Sequence, residues 1–304
     1  MEERDEKEVL ERKYQILSSK LAERPNSPFL HDSLADVCLR MGRRDEALSH
    51  YKRSVELDPD RDEVIEKIRN EFGPEELKGF EFPKRMGPFW ADLRSLSNYP
   101  LRGGGRYIII GGALVFTILN LVPLFGFILT LIFAYPYLMA YMLRIIRSVS
   151  KGKEELPDWP EISDYWDSIL YPFIQVLICV GICYLPAILF LILGVLPLAI
   201  ILFILGTTYF PMALIAVALH DSPLAPLNFY ILIDSIQKIL RDYIMALVAI
   251  FIFILIETIF NLLLTGIPII GPFLFWMATI YFAAVQMFVL GNIYYINRKV
   301  LAWF

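Results

Sequence analysis

The chain has 304 residues, 57% of them hydrophobic and 20% charged, with a formal net charge of −4. So large an apolar fraction excludes an ordinary water-soluble domain, and a nearly balanced charge argues against a nucleic-acid platform. Of the 60 charged side chains 38 precede residue 86, so a charge-dense front is joined to an apolar remainder. The expected division is a soluble helical module over 1–78, a linker and interfacial segment over 79–106, and a membrane domain over 107–304. The opening Met1–Asp5 carries neither a basic stretch nor an apolar run, so no signal peptide is expected.

In the front, Leu10, Tyr14, Leu17 and Leu21 form a helical stripe. Asn26 or Ser27 is suited to cap a second helix from Pro28 to Met41, and Gly42 suits its end. A third helix is expected from Asp45 to Leu57, stopped by Asp58-Pro59, and a fourth over about 61–72. Leu34, Ala35, Gly42, Ala47, Tyr51, Ser54 and Pro59 fall at the spacings of a tetratricopeptide repeat, which residues 28–61 resemble. His31 stands where that repeat usually has Trp, and Cys38 where Tyr is common. The resemblance implies a docking face for protein partners, with Phe29, Asp32, Asp36, Leu39 and Arg40 on its inner side.

Gly73-Pro74 and Phe82-Pro83 break helices after this module. Phe80, Phe82, Phe89 and Trp90, interleaved with Lys84, Arg85 and Arg94, suit equally a segment lying on anionic lipid and one packed on the helical front.

Beyond Arg106 three long stretches lack charge: 107–143, 168–219, and 243–297 with Glu257 as its one exception. A span needs about 20 apolar residues to cross ~30 Å of hydrocarbon. Each stretch therefore divides in two, at Val122–Gly126, Gly194–Pro197 and Gly266–Pro272. The expected spans are 107–122, 126–143, 168–193, 197–219, 243–265 and 272–296. Arg102, Arg106, Arg144, Arg147, Lys151, Lys153, Lys238, Arg241, Arg298 and Lys299 all fall on one side if the spans pair as hairpins, and the opposite turns are uncharged. The positive-inside rule then puts both termini in the cytoplasm. The fold class is all-α: six spans as three hairpins, with an N-terminal cytoplasmic tetratricopeptide-like module. Tyr135–Ala140, Tyr209–Leu214 and Tyr281–Gln286 read as equivalent segments of repeated hairpins, each hairpin following a short amphipathic stretch.

Several motifs recur in a fixed order. Tyr99-Pro100-Leu101-Arg102 leads into Gly111-Gly112; Ala140–Arg147 is followed by Gly152-Lys153-Glu154-Glu155-Leu156-Pro157-Asp158-Trp159, then Asp164 and Trp166. Over roughly 90–300 this order resembles a prokaryotic membrane family known as domain of unknown function 4013. The resemblance implies a membrane fold and no activity. Arg144 and Arg147 share a helix face at the cytoplasmic end of span two. With Lys151 and Lys153 they are suited to hold lipid headgroups, and Glu154, Glu155 and Asp158 to close ion pairs onto them.

Glu257, with Asn261 one turn away, is the intramembrane polar pair. An ionised carboxylate in hydrocarbon is costly, so this one is expected to be neutral, paired or beside water. Cys179 and Cys183, four apart, read as small packing residues rather than a metal or redox pair. No phosphate loop, metal spacing or nucleophile–base set is evident, so no catalytic residue, metal or cofactor is assigned. The reading is a non-enzymatic, multi-pass inner-membrane protein that recruits a cytoplasmic or membrane protein partner and contacts membrane lipid, with no nucleic acid and with self-association left open. The alternative is a transporter or lipid-handling permease with Glu257 in its membrane site and the front module as regulator.

Overall fold

Two separately packed units divide the chain, Met1–Arg85 and Met86–Phe304. The structure is a computed structural model that describes residues 2–58, 61–77, 86–122, 125–264, 266–267 and 270–303. The described residues are largely helical and contain no strand. Pro59, Phe80, Phe82, Lys84, Arg85, Pro123 and Pro268 lie outside them.

In the first unit, α1 (Glu2–Glu23), α2 (Pro28–Arg40), α3 (Arg44–Leu57) and α4 (Asp62–Glu71) follow the apolar periodicity. The Ser27 side chain accepts from the Leu30 N–H, and Pro28 occupies the first turn, where its missing N–H costs nothing. Gly42 turns the chain with φ +77°, a conformation that glycine adopts freely. Leu34, Ala35, Cys38, Ala47, Tyr51, Val55, Val64, Ile68 and Phe72 close one small core. Ala35 and Ala47 let α2 and α3 approach, and the Tyr51 ring fills the space between them, edge-on to Phe72 at 6.1 Å. α1 packs on the repeat through Tyr14, which donates to Glu46 and lies under the Arg43 guanidinium.

Among the described residues, the second unit has five helices long and apolar enough to cross a membrane: α7 (Gly126–Val149), α8 (Trp166–Ile192), α9 (Leu196–His220), α11 (Leu240–Leu264) and α12 (Ile270–Leu301). A sixth candidate is bent: α5 (Leu93–Asn98), prolonged to Leu101, meets α6 (Gly105–Asn120) at 57°. The short α10 (Phe229–Lys238) precedes α11. Every expected span has a helix, and most of these helices run past the apolar stretch into the charged flank.

α12 organises the unit. Residues 283–295 are buried on every side, wrapped by α6, α7, α9, α11 and the chain that leads into α6. Small residues set the spacing: a Cβ on Gly291 would come within 2.6 Å of Val149, so α7 and α12 touch backbone to backbone there. The leading chain is part of this core rather than a loose tether. The Asn292 amide accepts from the Phe89 N–H and donates to the Gly87 carbonyl, both at 2.9 Å, and Tyr99 packs on Phe288 with ring centroids 4.3 Å apart.

Three tyrosines at equal intervals along the chain close the hairpins into a ring. Tyr137 donates to the Pro160 carbonyl ahead of α8, Tyr209 to the Pro226 carbonyl ahead of α10, and Tyr281 to the Ser97 carbonyl ahead of α6. Each second helix thus grips the segment that leads into the next hairpin, the third returning to the first. The register differs from the sequence-based one by two residues in the first copy: Tyr137, not Tyr135, is the equivalent of Tyr209. Tyr135 instead faces Trp276 at 5.7 Å.

Prolines inside the helices are accommodated in two ways. Pro136 and Pro172 each follow a π-helical turn, Thr130–Ala134 and Trp166–Leu170, which contains the carbonyl that the missing N–H would have used. At Pro211 the ladder of α9 is opened and mended by a side chain. The Tyr243 hydroxyl donates to the Thr208 carbonyl at 2.6 Å and accepts from the Met212 N–H at 3.2 Å, so its ring wedges beside the proline and its hydroxyl joins the two groups. Replacing Tyr243 by Phe would leave both groups unmatched. The expected cost is about 1–3 kcal/mol, read as a lower unfolding midpoint of the detergent-solubilised chain; an unchanged midpoint would show that the hydroxyl carries no weight.

Candidate functional site

Three places collect the residues that the sequence singles out. The first is the α2 face of the repeat. Phe29 is 66% exposed, with the Arg61 guanidinium 5.9 Å from its ring centroid, and Arg40 is exposed one end away. Leu39 is half-buried against the core. Asp32 and Asp36 are already engaged. Asp32 pairs with Arg61 at 2.9 Å, while Asp36 accepts from Lys67 at 2.9 Å and from the Tyr51 hydroxyl. Burial raises the Asp32 carboxyl, against the opposing pull of Lys67 and Arg61. Of the five residues that sequence spacing put on this face, Phe29 and Arg40 are exposed without an ion pair, Asp36 is ion-paired but partly exposed, Leu39 is half-buried and Asp32 is buried. The missing signal was the register of α4, which brings Arg61 and Lys67 onto the two acids.

Behind that face His31 takes the place of the usual Trp. Its Nε2 must donate to the Pro25 carbonyl, so its Nδ1 accepts from His50 Nδ1 at 3.1 Å. Burial and the neighbouring His31 push His50 down, opposed by Glu46. Burial also pushes the Cys38 thiol up to about 11, so it stays a packing group at neutral pH.

The second place is a polar cleft of about 710 Å³ beside the α7–α8 loop, lined by Arg144, Arg147, Ser148, Lys151, Lys153 and the acids 154, 155 and 158. Just after the lining residues, Trp159 folds back between α6 and α7. The indole stacks on Tyr141 with centroids 4.3 Å apart and donates to the Ile108 carbonyl at 3.3 Å. Gly112 makes room, since a Cβ there would lie 2.3 Å from the indole. Tyr141 donates to the Pro157 carbonyl at 2.9 Å. Leu-Pro-Asp-Trp and Gly-Gly, far apart in sequence, are thus two halves of one contact.

Among the described residues, the ion pairs expected between these acids and Arg144 or Arg147 are absent. Seating Trp159 carries the loop toward the start of α6, so Glu154 meets Arg102 at 3.1 Å. Arg147 turns to α9 instead. It donates to the Ala218 carbonyl and pairs with Asp221, each at 2.6 Å, and Gln175 donates to the same carboxylate at 3.1 Å. Asp221 ends α9 with φ +50°, a left-handed position where glycine is usual, and these bonds offset the strain. Arg144, Lys151 and Lys153 remain exposed around the cleft.

The third place is Glu257. Gln286 on α12 donates to its carboxylate at 3.2 Å, and Thr279 lies beside it without a well-formed hydrogen bond. The Asn261 carbonyl oxygen, one turn on, is buried without a partner among the described residues. Cys179 and Cys183 are free thiols buried in the core of the unit.

This geometry defines a class: an all-helical chain with five or six helices long and apolar enough to cross a membrane among the described residues, preceded by a tetratricopeptide-type helix pair. Two family models match, the tetratricopeptide repeat over residues 28–61 and "Protein of unknown function (DUF4013)" over residues 123–266. The second match includes the Ala140–Trp166 motifs and leaves out Tyr99–Arg102 and Gly111-Gly112, so it is narrower than the resemblance read over 90–300. No curated protein and no solved structure matches the chain.

The histidine pair has a measurable consequence. A depressed folded-state value means that the unfolded chain binds more protons, so stability is lost as pH falls through about 6.5. Hydrogen exchange of residues 28–57 in the full chain is expected to quicken between pH 7.5 and 5.5, after correction for the intrinsic rate, and His50→Gln to flatten that response. A corrected rate that does not change with pH would refute the assignment.

Proposed function

We propose that this chain is a membrane-anchored interaction protein, non-enzymatic, whose front module recruits a protein partner at the cytoplasmic face of the prokaryotic inner membrane. The observation that carries this reading is the repeat match over 28–61 on a chain with five or six candidate spans. Repeats of this kind serve protein association. Phe29 and Arg40 offer the open apolar and cationic groups that anchor such contacts, aromatics and arginines being the usual hot spots. The cytoplasmic placement rests on the cations that gather at one set of helix ends, including Arg144, Lys151 and Lys153, opposite uncharged turns. Those cations around the polar cleft suit lipid headgroups. The transporter alternative has less support: Glu257 is the one acid between 243 and 297, it is bonded to Gln286, and proton relays use chains of ionisable groups.

Two measurements test this reading. Cross-linked capture of the partner from mild-detergent extracts should fall about tenfold for the double variant Phe29→Ala, Arg40→Ala, as for a hot-spot pair; undiminished capture would remove the docking face. For orientation, a cysteine placed at Gly194 should react with an impermeant reagent in whole cells, and one placed at the exposed Lys151 only after permeabilisation. The reverse pattern would overturn the cytoplasmic placement.

A further inference from the structure

α6 and α11 both pack on α12 and leave a gap between them. α11 is covered along one narrow stripe that includes Tyr243, Ala246, Glu257 and Leu264, with Glu257 bonded to Gln286 of α12, and most of its remaining apolar surface is open. The gap is a groove of about 440 Å³, within the range of about 300–1,000 Å³ usual for small-ligand sites. Ile109 and Ile110 of α6, Phe260 of α11 and Ala278 of α12 line it, and the hydroxyl of Tyr281 is already committed to Ser97. Apart from that hydroxyl, one polar side chain reaches it: Arg106, in the first turn of α6. Arg106 is exposed and forms no hydrogen bond or ion pair among the described residues, whereas its neighbour Arg102 is held by Glu154 and Ser95.

We propose that this groove is a glycerophospholipid site, with the headgroup phosphate on Arg106 and one acyl chain lying between α6 and α11. The assignment rests on complementarity. The groove is apolar along its length, which excludes a hydrated polar ligand. A fork of N–H donors stands at the end where α6 leaves its charged flank, and guanidinium is well matched to phosphate oxygens. Leu101 lines the groove together with Arg106, and a bound acyl chain would lie against Ile109, Ile110 and Phe260.

Native mass spectrometry of the full chain in mild detergent tests the proposal, with phosphatidylglycerol as the probe. The wild type is expected to retain one phospholipid. Arg106→Gln should lower its occupancy about fivefold, the effect of one basic residue at a lipid surface, and Arg106→Lys should restore most of it. Ile110→Trp, at an exposed position on the groove wall, should displace the chain with the charge left in place. Diacylglycerol, which lacks the phosphate, should bind about fivefold more weakly, and inorganic phosphate should not compete. Equal retention of diacylglycerol, displacement by inorganic phosphate, or occupancy unchanged in both Arg106→Gln and Ile110→Trp would each overturn the site. So would a lipid-free dimer that Ile110→Trp dissociates, since the occupant would then be a second copy. Circular dichroism of each variant separates loss of the site from loss of the fold.

Discussion

The membrane unit depends on one helix being covered on every side. A helix with no polar face is stable only when it is surrounded, and 283–295 of α12 meets that condition without a gap. In a bilayer the lipid is as apolar as the side chains, so burial alone gives no reason for helices to gather. What gathers them here is close fit and a few polar bonds. Gly291 brings α7 within backbone contact, Asn292 ties down 87–89, and Gln286 reaches Glu257 on α11. These partners attach to one stretch of α12, and the rest of the bundle hangs from it.

The same economy governs the polar groups. Pro136, Pro172 and Pro211 each deprive a helix of a backbone bond where water cannot replace it. Two are absorbed by π turns, and beside the third the Tyr243 hydroxyl joins the Thr208 carbonyl to the Met212 N–H, the rung next to the one that Pro211 lacks. The helix ends are treated likewise: Arg147 takes the Ala218 carbonyl, and the three spaced tyrosines take carbonyls from the segments between hairpins. Because each tyrosine grips the approach to the next hairpin, the ring closes by hydrogen bonds that cross between hairpins. Such cross-links fix the order of the hairpins around α12, which apolar packing alone would leave ambiguous.

How much of this could be read from residues alone follows from the range of the forces. The spans were legible because hydropathy is local, and the breaks at 122–126, 194–197 and 266–272 coincide with helix ends. The repeat was legible because its small and aromatic positions lie within 34 residues of one another. Contacts between distant segments were not. Gly112 and Trp159 were both noticed, but nothing local says that one is the socket of the other. Arg147 was grouped with Lys151 and Lys153 by proximity in sequence, yet it belongs to α9 and Asp221. Asp32 and Asp36 were placed on an open face because the pairing of Arg61 and Lys67 depends on where α4 lies. The leading segment 86–101 read as interfacial by composition, while its burial depends on Asn292, about two hundred residues away.

The front module meets a different constraint. A single helix pair exposes two faces that neighbouring repeats would normally cover, and about three repeats are needed for an array to stand. Here α1 and α4 take the place of the missing neighbours. α1 closes one side through Tyr14, Glu46 and Arg43; α4 closes the other with Val64, Ile68 and the chain to Phe72. Covering the second side also uses charge, since Arg61 and Lys67 neutralise two acids that would otherwise repel across the face of α2. The stability of the pair and the openness of its face are therefore in competition. Each cation from α4 or its N-cap that helps to hold α2 ties up the charge of one acid on the surface left for a partner, and the groups left exposed without an ion pair are Phe29, under the Arg61 guanidinium, and Arg40.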